Sequence, residues 1–95
     1  MVDLERRSIA SFDGTPLGLT LAGSSSPSAP VLVLANGLGA TAAAFQLLFA
    51  RFADEFRFVT WDYRGLFSSG RPVRGYDSLR VDDHAKDALA VIDAV

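Results

Sequence analysis

The stretch Val31-Leu32-Val33-Leu34-Ala35-Asn36-Gly37-Leu38-Gly39 joins an uninterrupted apolar run to a glycine-rich turn. A short run of β-branched and aliphatic residues without polar alternation is typical of a strand that is buried on both faces, as at the centre of a parallel sheet. Gly37 and Gly39 allow a sharp turn and leave the backbone amides open to a negatively charged oxygen. The strand, the turn and the helical stretch that follows predict a site for an anion or a developing oxyanion.

The composition is that of a folded domain, since 49% of the 95 residues are hydrophobic and only 21% are charged. The net charge of -2 and the lack of a basic run argue against nucleic acid as a partner. The chain has no Cys, which excludes disulfides, thiolate metal sites and a cysteine nucleophile within it. The N-terminal residues mix acids and bases, and no apolar run approaches membrane-spanning length. We therefore expect a soluble, cytoplasmic protein.

Two strands are predicted near the N-terminus, over residues 8–12 and 16–21. The dipeptide Asp13-Gly14 between them suits the positive φ angles of a tight hairpin turn, which predicts an antiparallel pair. In the second strand, leucines alternate with small or polar residues. One face of that strand is therefore expected to be buried and the other to be more exposed.

A helix and a second interior strand are predicted after the glycine turn. Thr41 is available as the helix N-cap, and four large apolar side chains recur at helical spacing: Phe45, Leu48, Phe49 and Phe52. We expect this stripe to pack on the sheet rather than to bind a cofactor. Residues 56–62 are predicted to form a strand. One helix between two strands predicts a right-handed βαβ unit with parallel strands.

The segment over residues 62–72 is a polar, glycine-rich loop that follows the second interior strand. Because the carboxyl ends of parallel strands meet at one edge of a sheet, this loop and the Asn36 turn are expected to face one crevice. A last helix is predicted from about residue 82 to residue 95, with acidic residues favourably placed in its first turn. Its predicted apolar face consists of Ala85, Ala88, Leu89, Ile92 and Val95.

Three features occur in order along the chain: the turn Asn36-Gly37-Leu38-Gly39, the loop pattern Asp62-x-Arg64-Gly65-x-x-x-Ser69, and a helix that carries Asp87. With the preceding hairpin, they resemble the N-terminal third of an α/β-hydrolase. The resemblance covers nearly the whole chain. It implies an α/β fold in which an antiparallel hairpin is followed by a βαβ unit with parallel central strands and a further helix. Residues 1–95 would then form a partial domain that ends before the nucleophile elbow.

The resemblance also implies roles for individual residues. In this family the residue after the first glycine of the turn offers its backbone NH to the oxyanion, which makes Leu38 the expected donor. The family's Asp-x-Arg-Gly loop braces the active-site edge and is not catalytic. The resemblance therefore gives a supporting role to Asn36, Gly37, Gly39, Asp62, Arg64, Gly65 and Ser69.

The sequence departs from the family pattern at two positions and in one larger respect. Asn36 stands where His is commoner, and Phe67 stands where a second glycine is usual in the loop. No Gly-x-Ser-x-Gly elbow occurs, and the family places its nucleophile, acid and base further along the chain. We expect a serine-type nucleophile from outside this chain and an ester, thioester or related small molecule as substrate. The 95 residues alone are predicted to be inactive.

Other polar residues have simpler interpretations. His84 is expected to be a solvated residue in the first turn of the last helix, away from both carboxyl-edge turns. Ser68 and Ser69 are expected to form hydrogen bonds within their loop. Asp82 and Asp83 are expected to cap the helix rather than to bind a metal ion. We therefore expect no metal site and no cofactor.

A dinucleotide-binding unit is the main alternative. Gly37-x-Gly39-x-x-Ala42 follows a strand and opens a helix, and Asp62 ends the next strand, which fits a loose Rossmann fingerprint. The hairpin before the turn and the Arg64-Gly65 pair after Asp62 favour the hydrolase interpretation. A non-catalytic binding fragment on the same fold is a third alternative.

The expected partner is a small-molecule substrate, without nucleic acid or membrane. In the family's sheet order, residues 31–35 lie between the strand over residues 57–62 and a next strand that this sequence lacks. One side of an apolar strand is then unpaired, and free backbone groups on such a strand recruit other chains. Self-association through this edge is therefore expected.

Overall fold

A computed structural model describes residues 3–37 and 39–95. The strands are β1 (Leu4–Ala10), β2 (Pro16–Gly23), β3 (Val31–Leu34) and β4 (Arg57–Trp61), the α-helices are α1 (Gln46–Phe52) and α2 (Val81–Ala94), and short 3-10 turns lie at Ala42–Phe45 and Tyr76–Ser78. The four strands form one sheet, in the order β1-β2-β4-β3. Within the described ranges, no helix combines the length and the apolarity that crossing a membrane requires.

The predicted N-terminal hairpin is confirmed. Strands β1 and β2 pair antiparallel from Leu4 opposite Ala22 to Ala10 opposite Pro16, and Gly14 in the connecting turn has a φ of 89°. Strand β1 begins earlier than predicted, because an edge strand can extend through charged residues whose side chains remain in water.

The predicted βαβ unit is also confirmed, because β3 pairs parallel with β4 and α1 lies between them in the chain. Thr41 caps the helical segment as expected, with its Oγ1 accepting a hydrogen bond from the backbone NH of Ala43. The first turn of that segment is a 3-10 helix, a tighter form that is frequent at helix N-termini.

The two helices cover opposite faces of the sheet, and each face has its own core. The cluster on the α2 side is Leu17, Leu19, Val59, Trp61 and Val91. The cluster on the α1 side is Ala22, Phe49 and Phe58. The prediction that β2 has one more exposed face is wrong, since Thr20 on its second face is buried as well. Strand β2 lies inside the sheet, and α1 covers that second face.

Strand β3 lies at the edge of the described sheet, where it pairs only with β4. The expectation that this strand is buried on both faces is wrong, because Val31 and Leu32 are 38% and 36% exposed. The apolar sequence of β3 is typical of a central strand. In the described sheet, however, one side of β3 is not paired with another strand, as the family's sheet order predicted.

The predicted apolar face of α2 is wrong for four of its five residues, since only Ala88 packs against the core. Leu89 is 59% exposed and Ile92 is also exposed, whereas the buried residues of the helix are Asp83, Asp87 and Val91. The helix is rotated so that its two buried carboxylates, Asp83 and Asp87, point toward arginines, because a buried carboxylate is stabilised only where it is paired and hydrogen-bonded.

Candidate functional site at the carboxyl edge of the sheet

The turn after β3 is attached to the end of β4 by two hydrogen bonds from side chains. Asn36 is buried, and its Nδ2 donates to the carbonyl oxygen of Trp61 at 2.7 Å. The hydroxyl of Tyr63 donates to the carbonyl oxygen of Asn36. The start of the glycine turn is therefore fixed to the neighbouring strand from both its side chain and its backbone.

The glycines of this turn have open surroundings. Gly39 has a φ of 76°, in the left-handed region that favours glycine, and a Cβ built on it would meet no atom within 4 Å. The carbonyl oxygen of Gly37 accepts a hydrogen bond from the NH of Ala40 at 2.9 Å. Leu38, the expected oxyanion donor, lies outside the described residues.

The loop after β4 is held by side chains that bond to its own backbone and to β2. Asp62 Oδ2 accepts hydrogen bonds from the NH and the Oγ of Ser68, at 3.1 Å and 2.5 Å. Ser69 Oγ donates to the carbonyl oxygen of Asp62 and accepts from the NH of Gly18 at 2.9 Å. The expectation that both serines form hydrogen bonds within this loop is confirmed.

Phe67 occupies the position where the family pattern has a second glycine. Its φ is 47°, in the left-handed region that a large side chain rarely adopts. The loop therefore follows a backbone path that suits glycine, and the flanking hydrogen bonds of Asp62 and Ser69 keep the phenylalanine in it. Gly65, two residues earlier, also has a positive φ, of 80°.

Arg64 lies at the centre of a buried charge network below this edge. Its Nε and Nη2 donate to the carboxylate of Asp87 at 2.8 Å and 2.7 Å, and its Nη1 and Nη2 donate to that of Asp13 at 2.9 Å and 3.2 Å. Ser11 Oγ also donates to Asp87. The guanidinium therefore joins the hairpin turn, the loop after β4 and helix α2.

The network continues to the protein surface through Arg74, which pairs with Asp13 at 3.1 Å and with Asp83 at 2.8 Å. Hydrogen bonds from Arg64, and further ones from Thr15 and Arg74, hold the pKa of the Asp13 carboxyl well below its ordinary value despite burial. The hydrogen bond from Arg74 likewise lowers the pKa of Asp83. Bonding to Asp87 and Asp13 raises the pKa of Arg64, so its guanidinium stays charged.

His84 lies closer to the carboxyl edge than predicted. Its ring packs against Tyr63 with 5.1 Å between the ring centroids, and Tyr63 is the residue that bonds to the Asn36 turn. The expectation that His84 is solvated and distant from both turns is wrong, because the buried carboxylates of α2 turn this side of the helix toward the sheet. Among the described residues, Asn36 Oδ1, Trp61 Nε1 and His84 Nδ1 are buried without a hydrogen-bond partner.

The structure brings together most of the residues that the family pattern picked out. Asn36 and the loop from Asp62 to Ser69 meet at one edge, and Asp83 caps α2 by accepting a hydrogen bond from the NH of Arg80. Sequence reasoning missed Tyr63, whose position two residues after the end of β4 was the available signal. It also gave Asp13 only a turn role, since nothing in the local sequence links a hairpin to an arginine 51 residues away.

Comparison with solved structures gives matches over almost the whole chain. An α/β hydrolase from Sphaerobacter thermophilus DSM 20745 matches 93% of this chain at 31% identity with a TM-score of 0.72, and the match covers 31% of that protein. A hydrolase from Pseudomonas aeruginosa PA01 matches 95% at 27% identity with a TM-score of 0.78, covering 32% of it. The Cif epoxide hydrolase from Acinetobacter nosocomialis matches 97% at 21% identity with a TM-score of 0.80, covering 27% of it.

Neither a protein-family model nor a curated protein matches the chain. The chain spans less than a third of the length of the three solved hydrolases. Its hairpin, its parallel βαβ unit and its final helix follow the order that the turn and loop motifs predicted. The chain therefore has the α/β-hydrolase fold, of which it represents the N-terminal portion.

Proposed function

We propose that this chain supplies the oxyanion-hole loop of an α/β-fold hydrolase that acts on an ester, a thioester or a related small substrate. The observation that carries the proposal is the turn after β3, which Asn36 and Tyr63 attach to β4 while Gly37 and Gly39 stay open to solvent. Preorganised backbone donors of this kind stabilise an oxyanion because they need no reorganisation as charge develops.

In acyl transfer, a nucleophile adds to the carbonyl carbon of the substrate and the carbonyl oxygen becomes an oxyanion. The NH of Leu38 is the proposed donor to that oxygen. Asn36, Gly37 and Gly39 would hold the turn, and Asp62, Arg64, Gly65 and Ser69 would brace the adjacent loop. The nucleophile, acid and base would come from outside these 95 residues, which then form a partial domain.

Several solved relatives are named epoxide hydrolases, including one from Vigna radiata at 21% identity. Likeness at that level concerns the fold, so it does not favour an epoxide over an ester. The relative at 31% identity is named only as an α/β hydrolase. The ester class therefore rests on the oxyanion chemistry of the turn rather than on a relative's substrate.

A chimera tests the proposal. This chain would replace the structurally equivalent segment of the Sphaerobacter hydrolase. Activated esters would first be screened on the parent enzyme, and the chimera would then be assayed with one for which the parent shows turnover. We expect the folded chimera to retain turnover, because the chain would provide an equivalent donor. A chimera that melts cooperatively, as the parent does, but has no turnover would contradict the proposal.

A further inference from the structure

A cavity of about 370 Å³ lies beside the two carboxyl-edge turns, on the sheet face that α1 covers. We call it the Phe67 cavity. Its wall includes Arg6, Thr20, Thr41, Gln46, Asp62 and Phe67. Volumes of this size suit a small-molecule ligand.

The strand register explains why polar groups line one side of this cavity. Arg6 lies opposite Thr20 in the β1–β2 pair, so both side chains project from the same face of the sheet. Thr41 and Gln46 face them from the start of the α1 segment. These groups offer hydroxyl, amide and guanidinium donors to a ligand oxygen.

The aromatic wall of the cavity is Phe67, which is 61% exposed. Its exposure means that the core does not require an aromatic ring there, and its φ of 47° is a conformation that glycine would adopt with less strain. A strained backbone conformation persists where the surrounding hydrogen bonds hold it in place, and such conformations cluster at ligand-binding sites. Here the bonds are those from Ser68 and Ser69 to Asp62.

We propose that the Phe67 cavity binds the aryl group of a small aromatic ligand, with the Phe67 ring stacked on it and a ligand oxygen bonded by the polar wall. As a substrate subsite, this assignment rests on the proposed hydrolase function and narrows its substrates to aryl esters. As a binding site it needs neither a nucleophile nor the oxyanion donor, so it is testable on the chain itself.

The probe is phenylacetone, a ketone that cannot be hydrolysed, with cyclohexylacetone as the aliphatic control. We expect saturable changes in the backbone amide NMR signals of the cavity residues, and binding at least about fivefold tighter for the aromatic ketone, because aromatic pairs gain energy beyond area burial. Since no bond is cleaved, loss of this binding would contradict the subsite and leave the chimera test of the hydrolase unaffected.

Matched variants test whether the Phe67 ring itself is responsible for phenylacetone binding. Phe67→Leu should weaken phenylacetone binding about fivefold, whereas Phe12→Leu, at another exposed aromatic outside the cavity, should not change it. Phe67→Gly should also lose binding while its thermal midpoint is unchanged or raised, which separates ligand contact from folding. Unchanged binding in Phe67→Leu, or no saturable shifts of the cavity residues in the parent, would overturn the proposal.

Discussion

Arg64 has only 2% of its surface exposed, and its four hydrogen bonds join two carboxylates from distant parts of the chain. Replacing Arg64 by Met would leave Asp87 buried without its countercharge. Breaking one partner of a buried pair costs roughly 3–5 kcal/mol, so we expect a loss of that order in the free energy of unfolding by urea.

The control for Arg64→Met is Arg71→Met, which removes an equal charge from an exposed position in the same loop. Exposed substitutions of this kind usually change stability by less than about 0.5 kcal/mol. Equal unfolding midpoints for the two variants would show that the buried network does not stabilise the fold.

Acid sensitivity is a second prediction at the residue scale. Asp13 and Asp83 have pKa values lowered below the ordinary value of 3.8 by their arginine partners. A carboxyl whose pKa is depressed in the folded state stabilises the fold above its unfolded pKa, and that stability is lost as the pH falls toward the folded pKa. The urea midpoint should therefore be level near neutral pH and fall below about pH 4.

Asp13→Asn should reduce the fall of the urea midpoint below about pH 4. Asp54→Asn, at an exposed position just after the C-terminal end of α1, should leave that fall unchanged. Urea titrations followed by circular dichroism at several pH values measure both slopes. If the urea midpoint of Asp13→Asn falls with decreasing pH as steeply as that of the parent, the pH dependence does not come from this network.

At the scale of elements, local sequence patterns were sufficient to predict the hairpin, the βαβ unit and the cap at Thr41. Turn chemistry and helical spacing depend on residues that are near neighbours in the chain. They failed for the buried face of α2 and for the exposure of β3. The rotation of α2 depends on Arg64, and the exposure of β3 depends on which strands flank it. Neither cause is visible within a local window of sequence.

In the candidate site, too, local motifs predicted some features and missed others. The glycine turn and the loop after β4 followed from their motifs, and the parallel pairing brought them to one edge. The contacts that fix them involve Tyr63 and Asp13, whose partners are 27 and 51 residues away in the chain. Such long-range hydrogen bonds leave no periodic signal in the sequence.

The surroundings of the turn after β3, rather than the turn itself, distinguish the hydrolase interpretation from the dinucleotide-binding one. In a Rossmann unit this turn would bind a pyrophosphate and Asp62 would bind a ribose hydroxyl. Asp62 Oδ2 is already bonded to Ser68, and β3 follows a hairpin instead of beginning the fold. Calorimetric titration with NAD or NADP should therefore give no saturable heat. Micromolar binding that Gly39→Val abolishes would favour the nucleotide interpretation instead.

At the scale of the whole molecule, the feature with the clearest physical consequence is the side of β3 that pairs with no other strand in the described sheet. Exposed apolar side chains next to unpaired backbone groups favour pairing with another chain. We expect the chain to self-associate in light-scattering measurements, and Val31→Lys to reduce that association. Val81→Lys, the same change on the outer side of α2, should not reduce it. A monodisperse parent chain would contradict this expectation.

Turnover by the isolated chain provides a second test at this scale. An oxyanion donor without a nucleophile cannot form an acyl intermediate, so an activated ester should be hydrolysed no faster than in buffer. Mass spectrometry of the protein after incubation would reveal an acyl adduct. Such an adduct, together with a burst of product, would refute the expectation that the catalytic groups lie outside these residues.

The central claim is that the glycine turn after β3 serves an oxyanion, and two matched glycines test it in the chimera. Gly39 and Gly75 both have positive φ angles, 76° and 85°, and both have open surroundings, but only Gly39 lies in the turn. A valine at this positive φ would reshape the turn and displace the proposed donor, the NH of Leu38, so the kcat of Gly39→Val should fall by about 100-fold or more. Gly75→Val should stay close to the parent. Equal kcat values for the two variants, both folded, would contradict the claim.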